Sequence, residues 1–131
     1  RCLAWMEASS KMERNMDLVR QILLKAERNP EYNAFMEVEV EGFSADQVAY
    51  HMRLMDEANL LHASDCSGGG GHVEWRFERL TWEGHEFLDS CRDEGVWEKA
   101  KTEMASKAKG MTFAVLSALL IEWAKRAVFQ P

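Results

Sequence analysis

The side chains in this sequence that could bind a metal ion flank one glycine-rich stretch. They are His62, Asp65, Cys66 and His72, on either side of the run from Gly68 to Gly71. Imidazole and thiolate groups are both good zinc ligands. Their spacing matches no zinc motif, however, and a run of glycines holds its neighbours in no fixed geometry because its backbone is free. We therefore expect no metal site here.

Groups that could carry out catalysis are equally few. Nucleophilic catalysis needs a nucleophile beside a base, and Cys91 and His85 stand six positions apart on one helical segment, on different parts of its surface. The glycine run lacks the Lys-Ser or Lys-Thr pair that completes a phosphate-binding loop. The sequence therefore predicts neither an enzyme nor a bound cofactor.

Composition and length limit the remaining classes of protein. The chain has 131 residues, of which 47% are hydrophobic and 29% charged, as expected for a globular protein. Its longest apolar run, Phe113 to Ile121 with one serine, is much shorter than the roughly 20 residues that span a bilayer, so no transmembrane helix is expected. Three cysteines without a C-x-x-C pair favour the reducing cytoplasm.

Two helices and a strand are predicted in the first half of the chain. Apolar residues recur at helical spacing from Asn15 to Arg28, which predicts a first helix with Asn15 as its N-cap. From Met36 to Glu41 apolar and acidic residues alternate, which is typical of a strand with one buried face. Ser44 and Gln47 have the spacing of a capping box for the next helix. Asn59 suits the left-handed position that ends this helix.

A hairpin and three further helices are predicted in the second half. One strand begins at Leu60, the glycine run forms the tip, and the second strand runs from His72 to Leu80. Thr81 caps a third helix, a fourth runs from about Val96 to Lys109, and a last one follows Thr112. The last helix repeats apolar residues at steps of three and four, at Phe113, Leu116, Leu120 and Trp123. The fold class predicted is mainly α with a small antiparallel sheet, an α+β fold.

The order of these elements resembles that of a winged helix. The segment from Gln47 to Leu61 resembles the recognition helix of that superfamily, with Asn59 where the usual ending has Gly. The Leu-Thr-x-x-Gly run that starts at Leu80 resembles the segment that follows the wing. With Met12 to Arg20 and Val96 to Lys99, these segments resemble an uncharacterised bacterial and phage family, domain of unknown function 2513, over nearly everything after Met12.

This resemblance implies a winged helix-turn-helix with two additional C-terminal helices, in a phage or prophage setting, and it implies no reaction. We predict three parts along the chain. Residues 1–11 are an N-terminal extension, with Met12 as the native start, and residues 12–95 are the winged-helix domain. Residues 96–131 are a helical extension that packs on the core or forms a dimer seam.

A winged helix that reads DNA inserts its recognition helix into the major groove. In this chain the residues that such a helix offers to bases and phosphates are Gln47, Tyr50, His51 and Arg53. Arg76, on the second strand of the hairpin, is placed to reach the neighbouring DNA backbone. The resemblance therefore implies a regulator that binds duplex DNA as a dimer through these five residues.

The distribution of charge opposes DNA binding. From Met12 to Gly95 eight basic residues face eighteen acidic ones, a net charge of −10, whereas the segment from Val96 onward has a net charge of +3. Acidic groups near phosphates oppose the counterion release that supplies most nonspecific affinity. The alternative function is an acidic module that binds or inhibits a host protein without contacting DNA.

The last helix leaves two alternatives open. Its apolar residues cover the core of their own chain, or they form the interface with a second copy or a partner. The interface residues in the second case are Phe113, Leu116, Leu120 and Trp123. Periodicity does not distinguish an internal partner from an external one.

Overall fold

A computed structural model describes residues 12–29, 36–66, 75–106 and 112–129. The chain divides into two compact units, residues 1–85 and residues 86–131. The described residues are mostly helical with a small antiparallel sheet, so the predicted α+β class is confirmed. None of the helices in these ranges is long and apolar enough to cross a membrane.

The described residues of the first unit form two helices, a three-stranded sheet and the start of a third helix. Its elements are α1 (Met16–Ala26), β1 (Met36–Glu37), α2 (Ala45–Glu57), β2 (Leu61–Asp65), β3 (Trp75–Leu80) and the beginning of α3 (Trp82–Cys91). The strands lie in the order β1-β3-β2 and all pairs are antiparallel. The described residues between β1 and α2, 38–44, form no helix.

The first helix starts where the sequence predicts. The Asn15 side chain accepts hydrogen bonds from the backbone N–H groups of Asp17 at 2.9 Å and of Leu18 at 3.3 Å. This cap satisfies two of the donors that every helix start leaves without a partner. The apolar face of α1 is buried and includes Leu18 and Ile22.

The first strand is shorter than predicted, so the predicted extent of Met36 to Glu41 is wrong. Among the described residues of this predicted strand, Met36 and Glu37 alone pair with β3. Beyond them Val38 and Val40 are buried while Glu39 is exposed, so the alternation of burial continues without a ladder. Burial needs only a neighbouring apolar surface, whereas a strand needs a partner backbone along its length.

The predicted hairpin is formed by β2 and β3. Leu61 lies opposite Leu80 and Asp65 opposite Trp75, with a register shift between His62 and Ala63. The second strand is described from Trp75. Its predicted first residues, 72–74, and the predicted glycine tip lie outside the described residues.

The end of α2 confirms the predicted left-handed residue. Asn59 has a φ of +63°, and the Leu60 N–H that follows it donates to the Met55 carbonyl at 2.9 Å. The Asn59 side chain also donates to the Glu83 carboxylate at 3.0 Å, in an exposed position. Asparagine tolerates this backbone conformation better than other residues with a side chain, and glycine tolerates it best.

We expect Asn59→Gly to raise the free energy of unfolding by about 0.5 kcal/mol, because the strain of a Cβ at positive φ outweighs one exposed hydrogen bond. Asn59→Ala, the matched control, keeps the strain and loses the hydrogen bond, so it should lower stability by about 1 kcal/mol. Urea unfolding of the three proteins measures both effects. Equal stability of the Gly and Ala variants would contradict this account of the turn.

The second unit contains the rest of α3 with α4 (Glu94–Ser106) and α5 (Phe113–Phe129). The fourth helix begins two residues before the predicted Val96, because the Asp93 carboxylate accepts from the Val96 N–H at 3.1 Å and caps an earlier start. Thr112 caps α5 as predicted, accepting from the Val115 N–H at 3.3 Å. The predicted last residues of α4, 107–109, lie outside the described residues.

Candidate functional site

Four of the five candidate DNA contacts lie on α2, and the first of them, Gln47, is turned into the helix start. Ser44 accepts from the Gln47 N–H at 3.1 Å, and the Gln47 side-chain oxygen accepts from the Ser44 N–H at 2.8 Å. This confirms the predicted capping box. Gln47 is only 5% exposed, so its amide serves the helix cap.

His51 is also buried, at 1% exposure, and it connects α2 to the start of α1 through hydrogen bonds. The Asn15 backbone N–H donates to His51 Nε2 at 2.8 Å, and His51 Nδ1 lies 2.8 Å from the Gln47 carbonyl oxygen. The ring therefore carries its proton on Nδ1, which donates to this carbonyl, and it accepts at Nε2. Both nitrogens have partners within the chain.

Burial makes the neutral form of His51 the preferred one. Desolvation lowers the pKa of His51 from its ordinary value of 6.5; the hydrogen bond to the Gln47 carbonyl acts in the opposite direction, and the positive charge of Arg14 lowers the pKa further. Protonation would also remove the lone pair that accepts from Asn15. The contact between α1 and α2 is thus linked to pH.

Tyr50 and Arg53 are the candidate contacts that α2 leaves accessible. Tyr50 is 38% exposed, and its ring packs edge-on against His51 with 5.9 Å between the ring centroids. The Arg53 Nε lies 3.5 Å from a Glu57 carboxylate oxygen, and both side chains are more than half exposed. A solvent-exposed pair of this kind contributes under about 1 kcal/mol, but it leaves this face of α2 without a net positive charge.

Arg76, the fifth candidate, lies on the central strand of the sheet and is half-buried. It stands opposite Glu37 of β1 and opposite Ser64 of β2. The structure thus brings Tyr50 and Arg53 together, one turn apart on the accessible face of α2. It places Arg76 on a separate element, next to an acidic neighbour.

The structure also contains a groove that the sequence pattern does not reveal, between residues 37–41 and the first half of α2. We call it the edge groove; its volume is about 460 Å³. Its apolar lining includes Val38, Val40, Phe43, Ala45, Val48 and Trp75. Its remaining lining includes the exposed carboxylates of Glu37, Glu39 and Glu41. None of the described residues that line it is basic.

The only signal for this groove in the sequence is the alternation from Met36 to Glu41. That pattern correctly separates the buried valines from the exposed glutamates. It contains no information on α2, which supplies the opposite wall through Ala45 and Val48. A groove between two elements depends on their packing, so the pattern alone could not predict it.

The described residues first considered for metal binding and catalysis differ in burial and in their partners. The described residues contain no group of three or more His, Cys, Asp or Glu side chains placed to hold a metal ion. His62 lies 3.8 Å from an Asp56 carboxylate oxygen, Cys66 is exposed, and His72 lies outside the described residues. Cys91 is fully buried and His85 is exposed.

The apolar residues predicted on the last helix differ in burial. Leu116 and Leu120 are completely buried within the chain, and Phe113 stacks on Phe87 with ring centroids 4.8 Å apart. Trp123 is half-buried and donates its indole N–H to the Glu103 carboxylate at 3.2 Å. The large apolar side chains that are exposed in the described part of α5 are others, Val115 and Ile121.

Comparisons with known proteins identify relatives without assigning an activity. A family model described as "Hypothetical protein (DUF2513)" matches residues 13–112. An uncharacterized protein of Haemophilus influenzae is 39% identical over 98 residues, which are 74% of this chain and 82% of the relative. No solved structure matches the chain. The function must therefore be inferred from the charges and contacts of the chain itself.

Proposed function

The chain belongs to the DUF2513 family of hypothetical proteins, and from its surface we propose that it is an acidic interaction module that binds a positively charged segment of a partner protein. The proposal includes no reaction and no cofactor. It assigns the protein to the reducing cytoplasm of a bacterium, in the phage or prophage setting that the sequence resemblance implies.

The observation that supports this proposal best is the charge of the accessible surface of the first unit. The open face of α2 carries Asp46 and Glu57, and Arg53 is already paired with Glu57 at 3.5 Å. Residues 37–41 add three exposed carboxylates. A surface of this charge repels the phosphates of DNA and attracts a cationic polypeptide.

The burial of two candidate contacts also supports protein binding over DNA reading. The Gln47 side-chain oxygen and both ring nitrogens of His51 have hydrogen-bond partners within the chain. Base readout in the major groove requires free donors and acceptors on the helix surface. On α2 this leaves Tyr50 and the paired Arg53, too few groups to offset the acidic surface around them.

The second candidate function is a DNA-binding regulator that acts as a dimer. It is favoured by the element order helix, strand, helix and hairpin, with the three strands in one antiparallel sheet. In this proposal residues 12–95 are a winged helix with α2 as the recognition helix and the β2–β3 hairpin as the wing. Tyr50, Arg53 and Arg76 make the contacts, and a second copy doubles their number.

We expect a labelled random-sequence DNA duplex to show no binding at low salt, whereas labelled oligolysine binds with an affinity that falls as salt is added. The double variant Arg53→Glu, Arg76→Glu should bind oligolysine at least as tightly as the parent protein, because it adds negative charge to the same unit. Fluorescence anisotropy measures both ligands, and circular dichroism verifies the fold of each variant.

Arg28→Glu is the matched control, because Arg28 is an exposed arginine beyond the end of α1 and outside the candidate set. Salt-sensitive DNA binding that is lost on the double substitution but kept in Arg28→Glu would contradict the proposal and establish the second candidate. Light scattering on the same samples reports whether that activity belongs to a dimer. Absence of oligolysine binding would also contradict the proposal.

A further inference from the structure

We propose that the edge groove holds an extended peptide in which basic and apolar side chains alternate, lying alongside residues 37–41. The inference rests on the proposed function. To that function it adds the surface that binds the partner segment and the chemistry of that segment. Three observations carry it: β1 is an edge strand among the described strands, the groove beside residues 37–41 has an apolar lining, and that groove has an acidic rim.

The strand edge provides the backbone contacts. Among the described strands β1 is at the edge of the sheet, with β3 as its neighbour on one side only. Its ladder with β3 covers Met36 and Glu37, and the described residues 38–41 continue beyond this ladder, outside any strand, along the wall of the groove. An extended peptide that joins such an edge gains main-chain hydrogen bonds irrespective of its sequence.

The apolar lining sets the first requirement on the side chains of the peptide. Val38 and Val40 form one wall, Val48 and Ala45 of α2 the other, and half-buried Trp75 adds an aromatic surface. Aliphatic side chains that enter this space remove apolar area from water on both sides of the contact. The groove volume of about 460 Å³ is sufficient for several such side chains.

The acidic rim sets the second requirement. Exposure alternates with a period of two along residues 37–41, so the glutamates share one face and the valines the other. An extended peptide that lies alongside residues 37–41 also has a side-chain period of two. Every second side chain of the peptide therefore enters the groove, and the others face the carboxylates. Charge complementarity then requires basic residues at those other positions.

The test uses two labelled peptides of identical composition. In one, lysine and valine alternate; in the other, all lysines precede all valines. We expect the alternating peptide to bind about tenfold more tightly in fluorescence anisotropy. Only in this peptide can the valines contact the apolar lining while the neighbouring lysines face the acidic rim. Net charge and hydrophobicity are equal, so they do not account for a difference.

Two pairs of variants locate the binding site. Ala45→Trp fills the mouth of the groove and should weaken alternating-peptide binding about tenfold, whereas Ala58→Trp, at an exposed alanine beyond the end of α2, should leave it unchanged. Glu39→Lys reverses one rim charge and should weaken binding, whereas Glu13→Lys makes the same change outside the groove. Each variant needs the circular dichroism spectrum of the parent.

The outcomes separate the inference from the proposed function. Equal binding of both peptides, unaffected by Ala45→Trp, would overturn the groove assignment and leave an acidic module that binds cations elsewhere. Binding of neither peptide would overturn both. Self-association of the unliganded protein that Ala45→Trp abolishes would overturn the partner, because a second copy would then occupy the groove.

Discussion

Replacing Gly84 with alanine is expected to lower the free energy of unfolding by about 3 kcal/mol, although the same change inside a helix usually raises it by up to about 1 kcal/mol. A Cβ at Gly84 would overlap the Leu60 carbonyl oxygen and lie 2.9 Å from the carbonyl carbon. The reversal of sign makes this substitution a strong test of the packing of α3 against the end of α2.

The Leu60 carbonyl has little freedom to move away. It accepts from the Thr81 N–H at 3.2 Å, and the Thr81 hydroxyl donates to the Asn59 carbonyl. The same hydroxyl accepts from the Gly84 N–H at 2.9 Å. The Leu-Thr-x-x-Gly motif of this chain thus has a structural explanation: threonine joins α3 to the turn after α2, and glycine permits the close approach.

Gly95→Ala is the matched control, because Gly95 also lies within a helix, α4. The nearest atom to a Cβ added at Gly95 is Oδ1 of the Asp93 side chain, at 3.1 Å. A side-chain oxygen can move aside more easily than a backbone carbonyl. We expect this variant to be as stable as the parent or more stable, by up to about 1 kcal/mol. Urea unfolding followed by circular dichroism gives both values. A Gly84→Ala variant no less stable than Gly95→Ala would show that the Leu60 contact is not restrictive.

His51→Phe is expected to lower the free energy of unfolding by about 2 kcal/mol at neutral pH, because the Asn15 N–H loses its acceptor while the volume of the ring is kept. The size of this effect should depend on pH. The pKa of His51 is lowered by burial in the folded protein, so the unfolded chain binds the proton more readily.

The sign of the pH dependence follows from linkage. The stabilisation by neutral His51 is fully present above the unfolded pKa of 6.5 and is lost as pH falls from 6.5 toward the lower folded value. The parent protein therefore weakens in this window through His51, whereas His51→Phe lacks that contribution. The difference in unfolding free energy between the two proteins should shrink as the solution becomes more acidic.

Urea unfolding at several pH values on both sides of 6.5 measures this difference. His85→Phe, at an exposed histidine on α3, is the control for the loss of a histidine elsewhere and should leave stability at neutral pH unchanged. A difference between the parent and His51→Phe that stays constant across the window would contradict the role assigned to the buried ring.

Local signals in the sequence determined the starts of α1, α2, α3 and α5, one helix end and the fold class. Asn15, Ser44 and Thr81 cap their helices through backbone N–H groups two or three residues away. Asn59 takes the left-handed conformation through its own backbone preference. Interactions over so few residues form in the same way in many tertiary contexts, so residue type and spacing are sufficient to predict them.

Only the tertiary structure decided which polar residues of α2 are accessible and which surface the segment at 37–41 packs against. His51 is a polar residue that sequence reasoning places on the surface, yet it is buried because the Asn15 N–H, 36 positions earlier, supplies a partner. The groove likewise exists because α2 packs beside Val38 and Val40. Such contacts join segments distant in the chain, and a local pattern contains no information on which segments meet.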